Sequence, residues 1–361
     1  MVNISGGNLE SDFQGRGGSV VNISGGHFNG RFIARLASEV NISGGTFDWI
    51  FELSGNTSLI GGEFLLNGAE LSNSTITLQD GDILTCTLAD GSTFALVGNL
   101  NLGTPELTLT AATLPAADLN PIVINAPVVS GPSGLRAGQM LTVQSGGVLR
   151  DNFAVVGATL NVDGGIVGNI AEAFDSVVNI SAGTIGYVFR AYNSELNISG
   201  GTIGDAFNAR SSVLNISGGT LESPFRAFDS EVNITGTEFF IDGLGLDNLQ
   251  PGEAFTVTNR DVTLSGLLAD GEPFSIDLNS ATQAGMDFFD PGTTITVTLD
   301  APAADVILGD VNQDGVVSFM DIAAFISVLA AAIFLEEADC NLDGEVNFLD
   351  IQSFVAILSG G

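Results

Sequence analysis

The chain has 361 residues and is strongly acidic, with 9 Lys and Arg against 42 Asp and Glu and a formal net charge of −33. All of the basic residues are arginine, and none follows Arg260. Nucleic acid and anionic membranes attract proteins through positive charge, so this composition excludes both as partners. The longest apolar stretch, Ile322 to Leu335, is too short to span a bilayer, so we expect no membrane span.

The chain opens with a repeat in which a short apolar strand leads into Gly-Gly. Its asparagine recurs with a period of nineteen residues, at Asn3, Asn22 and Asn41. From Asn161 to Asn233 the same motif returns with a period of eighteen. A fixed period of this length indicates coils that stack on copies of themselves. We therefore predict two parallel β-solenoid (β-helix) stacks, at residues 1–64 and 136–240.

The alternation within one repeat predicts which side chains face the core. Leu196 and Ile198 flank Asn197, which is the period-two pattern of a strand with two inward side chains and one outward. Gly-Gly is then expected to turn the chain, and Phe207 and Ala209 to form a second inward pair. The outward Asn and Thr columns are expected to satisfy one another's hydrogen bonds and those of the turn backbone.

Each stack is followed by a segment with hairpin character, at residues 65–135 and 241–303. Asp90-Gly91 and Asp270-Gly271 separate alternating apolar runs, as in a β-hairpin turn. The two segments match each other, so we infer a tandem duplication of a stack plus an all-β module. A linker at 301–304 then leads into a different domain, residues 304–361.

This last domain contains two twelve-residue loops with oxygen-bearing residues at regular positions and glycine at position 6. In such loops the oxygen ligands point toward one centre, and hard oxygen ligands suit Ca²⁺. We therefore predict two calcium sites. The backbone carbonyl supplies the ligand at position 7. The first site comprises Asp310, Asn312, Asp314, Val316, Ser318 and Asp321. The second comprises Asp339, Asn341, Asp343, Glu345, Asn347 and Asp350.

The apolar residues after each loop follow helical spacing. Those after the first loop are Ile322, Phe325, Ile326, Leu329 and Ile333, and those after the second are Ile351, Phe354, Val355 and Leu358. We expect two short helices that bury these residues only weakly, since so small a core leaves much of the folding free energy to calcium.

The two loop–helix segments resemble a dockerin domain, with an F-hand variant of the EF-hand loop that carries Asp at position 12. The resemblance implies a small α-helical calcium domain that docks onto a cohesin-like domain of another protein. It also implies that loop positions 10 and 11, here Phe319-Met320 and Phe348-Leu349, help to select the partner. Their apolar character leaves open that they pack against the chain's own β-module or a neighbouring subunit.

The coils resemble secreted, glycine-rich repeat proteins of planctomycete-like bacteria, which implies an extracellular or cell-surface location. Met1 leads directly into a repeat, so we expect that a leader was removed or that the sequence is part of a longer gene. Cys86 and Cys340 do not form a disulfide framework; free thiols are expected, with a bridge as the alternative.

Catalysis is not expected, because the chain has no lysine and a single histidine, His27, at what reads as a surface turn. The preferred function is a calcium-stabilised structural or adhesive subunit that associates with itself head to tail into a filament, through an uncapped first coil. One alternative is a dockerin-bearing β-helix that binds carbohydrate or degrades polysaccharide. Another is an ice- or surface-binding solenoid that uses the column of Thr184, Thr202 and Thr220.

Overall fold

The chain forms two compact units, residues 1–300 and 301–361. The computed structural model describes residues 1–47, 51–72, 74–98, 106–127, 134–151, 153–246, 249–300, 307–331, 333–341 and 343–359. The fold is mainly β, with a β-solenoid of about 12 turns and two C-terminal helices, which confirms the predicted fold class. The predicted linker at 301–304 lies outside the described residues, and the five-segment division of the chain stays a prediction.

The first stack alternates long and short strands. They are β1 (Val2–Leu9), β2 (Phe13–Gly15), β3 (Val20–Phe28), β4 (Phe32–Ala34), β5 (Glu39–Phe47), β6 (Phe51–Leu53) and β7 (Asn56–Leu66). Long strands pair with long strands in parallel, and Asn3, Asn22 and Asn41 lie side by side. Phe13, Phe32 and Phe51 are in register on the short strands. The period of nineteen therefore does mark one coil.

The first β-module follows directly from the last coil. It contains β8 (Ala69–Glu70), β9 (Thr75–Thr77), β10 (Ile83–Leu88), β11 (Thr93–Val97) and β12 (Glu106–Ala111). The far end of β7 pairs antiparallel with β10, and β10 pairs antiparallel with β11, as expected for a hairpin at Asp90-Gly91. Strand β12 pairs in parallel with the near end of β7 and so continues the stack by one strand.

The second stack repeats the arrangement of long and short strands. It contains β13 (Ile122–Ile124), β14 (Gly134–Leu135), β15 (Met140–Gln144), β16 (Phe153–Val156), β17 (Thr159–Val167), β18 (Ile170–Phe174), β19 (Val177–Ile185), β20 (Val188–Tyr192), β21 (Glu195–Ile203), β22 (Phe207–Arg210), β23 (Val213–Leu221), β24 (Phe225–Phe228) and β25 (Glu231–Ile241). The coil made by β13 and β14 lacks the asparagine motif, and sequence analysis did not identify it.

The second β-module is the last part of the first unit along the chain. It contains β26 (Leu244–Gly245), β27 (Ala254–Thr256), β28 (Thr263–Leu268), β29 (Pro273–Asp277), β30 (Phe288–Phe289) and β31 (Thr294–Leu299). Its pairings reproduce those of the first module: β25 is antiparallel to β28, β28 to β29, and β31 is parallel to β25.

Equivalent hydrogen bonds in the two halves support the predicted duplication. An Asp90 carboxylate oxygen accepts from the Gly45 backbone N–H at 2.9 Å, and an Asp270 oxygen accepts from the Gly219 N–H at 2.6 Å. Each hairpin turn is thus fastened to the coil before it by the same carboxylate. The shared contact is what we expect of two copies of one unit.

The core consists of columns in which identical side chains stack from coil to coil. Leu196, Ile198, Phe207 and Ala209 are all buried, as the alternation predicted. The ring of Phe207 stacks at 5.5 Å on Phe189 and continues the same column through the next coil. Burial of like side chains on like supplies the hydrophobic free energy of the stack.

The asparagine column satisfies itself, as predicted. Asn197 Nδ2 donates to Asn179 Oδ1 at 3.0 Å, and Asn215 Nδ2 donates to Asn197 Oδ1 at 2.8 Å. The same bond joins Asn22 to Asn3 in the first stack at 2.8 Å. Each amide thus serves as donor to one coil and acceptor from the next, which is the property of a stacked amide ladder.

The prediction that Gly-Gly turns the chain is wrong. Strand β21 runs continuously through Gly200 and Gly201, with a register irregularity at this point against its neighbour. The irregularity lets Ile198 and Ile203, which are an odd number of residues apart, both face the core. Gly201 has φ +79, and a Cβ there would lie 2.9 Å from the Gly183 carbonyl oxygen. Only glycine fits such a bulge between stacked backbones.

His27 also differs from its prediction, because it lies within strand β3 and not in a turn. Its ring is half-buried, and Nδ1 lies 2.8 Å from the Thr46 hydroxyl oxygen of the next coil. Because the glycine pair does not end the strand, the residue after it remains part of the parallel ladder. His27 is accordingly paired with Asn8 and Thr46.

The extra residue of the nineteen-residue coils lies in the turn after the short strand. In the second stack, Ser194 donates its hydroxyl to the Tyr192 carbonyl two residues earlier, at 2.8 Å. In the first stack, Ser38 makes the same bond to Arg35, three residues earlier, at 2.6 Å. The additional residue is Leu36, whose side chain is 78% exposed. Because the serine hydroxyl bonds to the carbonyl of Arg35 in the first stack and to that of Tyr192 in the second, these two residues occupy equivalent positions.

The last residues of the short strands in the second stack form an outward column, here called the lateral ladder. It contains Val156, Phe174, Tyr192, Arg210 and Phe228, which register with one another from coil to coil. Arg136 extends it by one position, because Leu135 just before it registers with Val155 just before Val156. The hairpin of the first module lies along this ladder. Ile83, Val156 and Phe174 form a buried cluster with Ala95, Val97 and Tyr192 around it. The first module is thereby fixed to the side of the second stack.

Candidate metal centre

The second unit is built from two loop–helix segments. Helix α1 spans Asp321–Ala331, a short 3₁₀ helix spans Glu336–Ala338, and helix α2 spans Asp350–Leu358. Both predicted helices are therefore present, and each begins at the last residue of its loop. An aspartate in the first turn suits the positive end of the helix dipole.

The core of this unit is small. It contains Val311, Phe325, Ala338, Cys340 and Phe354, and the rings of Phe325 and Phe354 stack with centroids 4.0 Å apart. Of the helical stripes predicted to face inward, these two phenylalanines are buried. Ile326 and Val355 are instead exposed, because two short helices offer only one mutual contact face.

The first loop is organised by carboxylates that accept backbone N–H groups. Asp310 accepts from Asp314 at 3.1 Å and from Gly315 at 2.8 Å, with one oxygen each. Asp321 accepts from Asn312 at 3.0 Å and from Ser318 at 2.8 Å. The first and twelfth positions thus hold the loop closed from its two ends. Gly315 has φ +88, the conformation expected of glycine at position 6.

The second loop repeats these bonds one for one. Asp339 accepts from Asp343 at 3.1 Å and from Gly344 at 2.9 Å. Asp350 accepts from Asn341 at 3.1 Å and from Asn347 at 2.8 Å. Two loops of different composition with identical internal bonds have the same backbone path, which supports the register predicted from the sequence.

The carboxylates at the ends of both loops are buried. Asp321 and Asp350 have no exposed surface, and Asp310 and Asp339 are 4% and 5% exposed. Buried charges need a compensating charge, and the chain has no basic residue after Arg260. The backbone N–H bonds stabilise the carboxylates but leave their negative charge uncompensated. A hard divalent cation fits this donor set.

The remaining predicted ligands lie along the same loops, but not in a ready cluster. Asp314 and Asp343 are exposed, and each accepts a hydrogen bond from the asparagine amide two residues earlier. In the part of the chain that the structure describes, no three His, Cys, Asp or Glu side chains converge as a metal group. Calcium coordination in such loops also draws on amide, hydroxyl and backbone carbonyl oxygens. The predicted ligands of these kinds are Asn312, Val316 and Ser318 in the first loop and Asn341, Glu345 and Asn347 in the second.

Both cysteines are free and buried. Burial raises the pKa of the Cys86 thiol, and burial together with the nearby Asp350 and Asp339 raises the pKa of Cys340 to about 11. A raised pKa keeps both thiols protonated and weakly reactive at neutral pH. Both thiols are unpaired in the structure, which agrees with the expectation of free thiols.

The loop residues at positions 10 and 11 are strongly exposed. Phe319 is 78% and Phe348 80% exposed, and Met320 and Leu349 are similar. Large apolar side chains in solvent at equivalent positions of both loops are uncommon on a unit of this size.

Comparison with known families supports the expected resemblance. Residues 308–356 match the dockerin type I domain family. No curated protein and no solved structure matches the chain significantly. Dockerin domains bind calcium and cohesin partners, and they occur on extracellular or cell-surface proteins. No helix in the described ranges is long and apolar enough to cross a membrane. The chain thus carries a dockerin type I domain at residues 308–356, C-terminal to a β-solenoid body.

Proposed function

We propose that this chain is a secreted, calcium-stabilised structural subunit, attached by its dockerin domain to a cohesin-like domain of another protein. The observation that carries the proposal is the apolar pair at positions 10 and 11 of each loop, Phe319-Met320 and Phe348-Leu349, which is exposed in both copies. Exposed apolar side chains on a rigid, metal-held loop lose little conformational entropy on binding, which favours them as anchors. Their chemistry favours a partner with an apolar docking face.

We propose one calcium ion in each loop. Each ion would offset the charge of two buried carboxylates, Asp310 and Asp321 in the first loop and Asp339 and Asp350 in the second. Binding then contributes free energy to folding, because the unfolded chain has no preformed site. The solenoid has its own large hydrophobic core, so we expect its melting transition to be independent of calcium.

Calcium titration of the full chain tests this proposal. We expect two ions to bind to the wild-type protein by calorimetry, and one after either Asp310→Ala or Asp339→Ala. Chelator should abolish a helical transition in circular dichroism melts while the β transition persists. Asp205→Ala, which removes an exposed acid from the solenoid, is the control. Unchanged stoichiometry in both loop variants would contradict the proposed sites.

Docking is tested separately, with a panel of isolated cohesin domains as probes in millimolar calcium. The double variant Phe319→Ser, Phe348→Ser should lose at least tenfold in affinity, as expected for apolar hot-spot residues, about 1.4 kcal/mol or more. Ile333→Ser is the matched control, because Ile333 is also an exposed apolar residue of this unit, outside both loops. Equal affinity for wild type and double variant would show that another surface docks.

The proposed role of the solenoid is non-catalytic, and its polar contacts support this. Several outward charged groups are engaged in bonds between coils, as where Arg190 donates to Glu172 at 2.8 Å. His27 faces Thr46, and its ring nitrogens lie 3.3 Å from an Arg150 nitrogen. Groups engaged in this way stabilise stacking and are not poised for proton transfer.

Self-association of copies is the second part of the proposal. The first stack and the second module each carry an outward surface whose counterpart in the other half of the duplication is covered. Head-to-tail joining through the first coil stays a prediction. Light scattering of the full chain in millimolar calcium tests association itself, and a strictly monomeric protein would contradict it.

A further inference from the structure

The duplication places one module against one stack within the chain. The hairpin of the first module covers the lateral ladder of the second stack from Arg136 to Arg210. At one end a Cβ at Gly91 would lie 3.5 Å from Arg136 Nη1, and at the other a Cβ at Gly81 would lie 3.0 Å from Arg210 Nη1. Between them Thr85 donates to Asp175 at 3.3 Å. Within the chain, a β-module therefore docks on a stack through its hairpin face and the lateral ladder.

The first stack has the equivalent ladder position, occupied by Arg16 and Arg35. The serine bonds establish the equivalence, since Ser19 donates to the Arg16 carbonyl as Ser38 does to that of Arg35. Both arginine side chains are exposed. Within the described residues neither guanidinium makes a hydrogen bond or an ion pair, and the exposed Leu36 lies beside Arg35. Two unpaired arginines in a chain of net charge −33 form a distinct positive surface.

The second module has the equivalent hairpin face, and that face is polar. Thr263 and Asp277 occupy the positions of Ile83 and Val97 in the first module, and the Thr263 hydroxyl donates to Asp277 at 2.8 Å. Asp277 and Ser275 are exposed. The module that has no stack to cover within the chain thus presents a carboxylate where its twin presents valine.

We propose that the hairpin face of the second module docks on Arg16 and Arg35 of a second copy of this chain. The contact repeats between molecules the docking seen within the chain, with an Asp277–Arg35 ion pair in place of apolar packing. The proposal rests on the self-association part of the proposed function and names its surface. Because other parts of two such acidic chains repel each other, pairing at this one positive surface fixes the orientation of the copies.

Charge exchange at the two surfaces tests the contact. Association of the full chain in calcium is measured by sedimentation velocity over a concentration series. Arg35→Glu and Asp277→Arg should each weaken association roughly tenfold or more, and the variant carrying both should recover most of the wild-type affinity.

Three controls separate this surface from other causes. Thr110→Glu adds negative charge at an exposed strand position elsewhere and should leave association unchanged. Phe319→Ser with Phe348→Ser should also leave it unchanged, which excludes the dockerin face. Thermal melts of the variants should match wild type, because both exchanged side chains are exposed.

The outcomes distinguish the two levels of the proposal. Association that survives both single reversals, or that the double exchange does not restore, overturns this surface while self-association stands. A protein that remains monomeric at every concentration overturns both. The contact is supported if both single variants associate more weakly than wild type and the variant with both exchanges recovers wild-type association.

Discussion

The two β-modules have the same strand pairings and opposite outer faces. All six residues of β10 are buried, whereas in the equivalent β28 only Leu264 and Leu268 are. The inner faces agree, with Leu84 and Leu264 both fully buried against their own stacks. The outer faces differ because the first module lies on the second stack and the second module has no stack beyond it. Duplicated sequences therefore keep what binds each copy to itself and diverge where their neighbours differ.

The largest expected difference between the modules is at Ile83 and its equivalent Thr263. Ile83→Ala should destabilise the solenoid by about 2–5 kcal/mol, because it empties a site buried between module and stack. Thr263→Ala should cost less than about 1 kcal/mol, since it removes one exposed hydrogen bond. Chemical denaturation of both variants measures the difference. Equal costs would mean that the first module is not held against the lateral ladder.

The shared contacts should behave alike. Asp90→Ala and Asp270→Ala each remove a carboxylate that accepts from a coil glycine and from its own turn, at Ser92 and Glu272 respectively. We expect each to cost about 1–3 kcal/mol, with similar values, because each leaves backbone donors without their partner. Denaturation of the single and double variants checks this. A cost in only one half would break the equivalence on which the comparison depends.

The smallest expected effect concerns Asp175, which lies where the first module meets the second stack. Burial raises the pKa of this carboxyl above its ordinary value, and the bonds from Asn193 and Thr85 oppose that shift. A raised pKa in the folded protein means that protonation stabilises the fold, so this contribution is present in acid and lost as pH rises through the folded pKa.

Asp175→Asn should therefore raise the melting temperature slightly at neutral pH and have no effect in acid, where the carboxyl is already protonated. Asparagine fits the backbone here, since Asn193 occupies the same position of the next coil with φ +47, against +49 at Asp175. The second module offers Asp277→Asn as control, because Asp277 is an exposed carboxylate of that module and its replacement should bring no gain at neutral pH. Thermal melts of wild type and both variants at neutral and at acid pH test this expectation.

The sequence by itself determined the stacking and the calcium loops. In a solenoid, residues one period apart contact one another. The repetition of Asn179, Asn197 and Asn215 in the sequence therefore predicts their contacts directly. The loops were equally predictable, because the carboxylate bonds that close them join residues within twelve positions, as between Asp310 and Gly315. Duplication of both features made each prediction independent of any single residue.

The tertiary structure alone decided three other features. Docking of Ile83 on Phe174 joins unlike surfaces far apart in the chain, and no periodicity encodes such a contact. The path through Gly200-Gly201 depended on whether neighbouring backbones left room for a bulge, which composition does not reveal. Exposure of Phe319 and Phe348 followed from how little surface two short helices cover. Local and periodic contacts can be read from the order of residues, whereas contacts between different surfaces require their shapes.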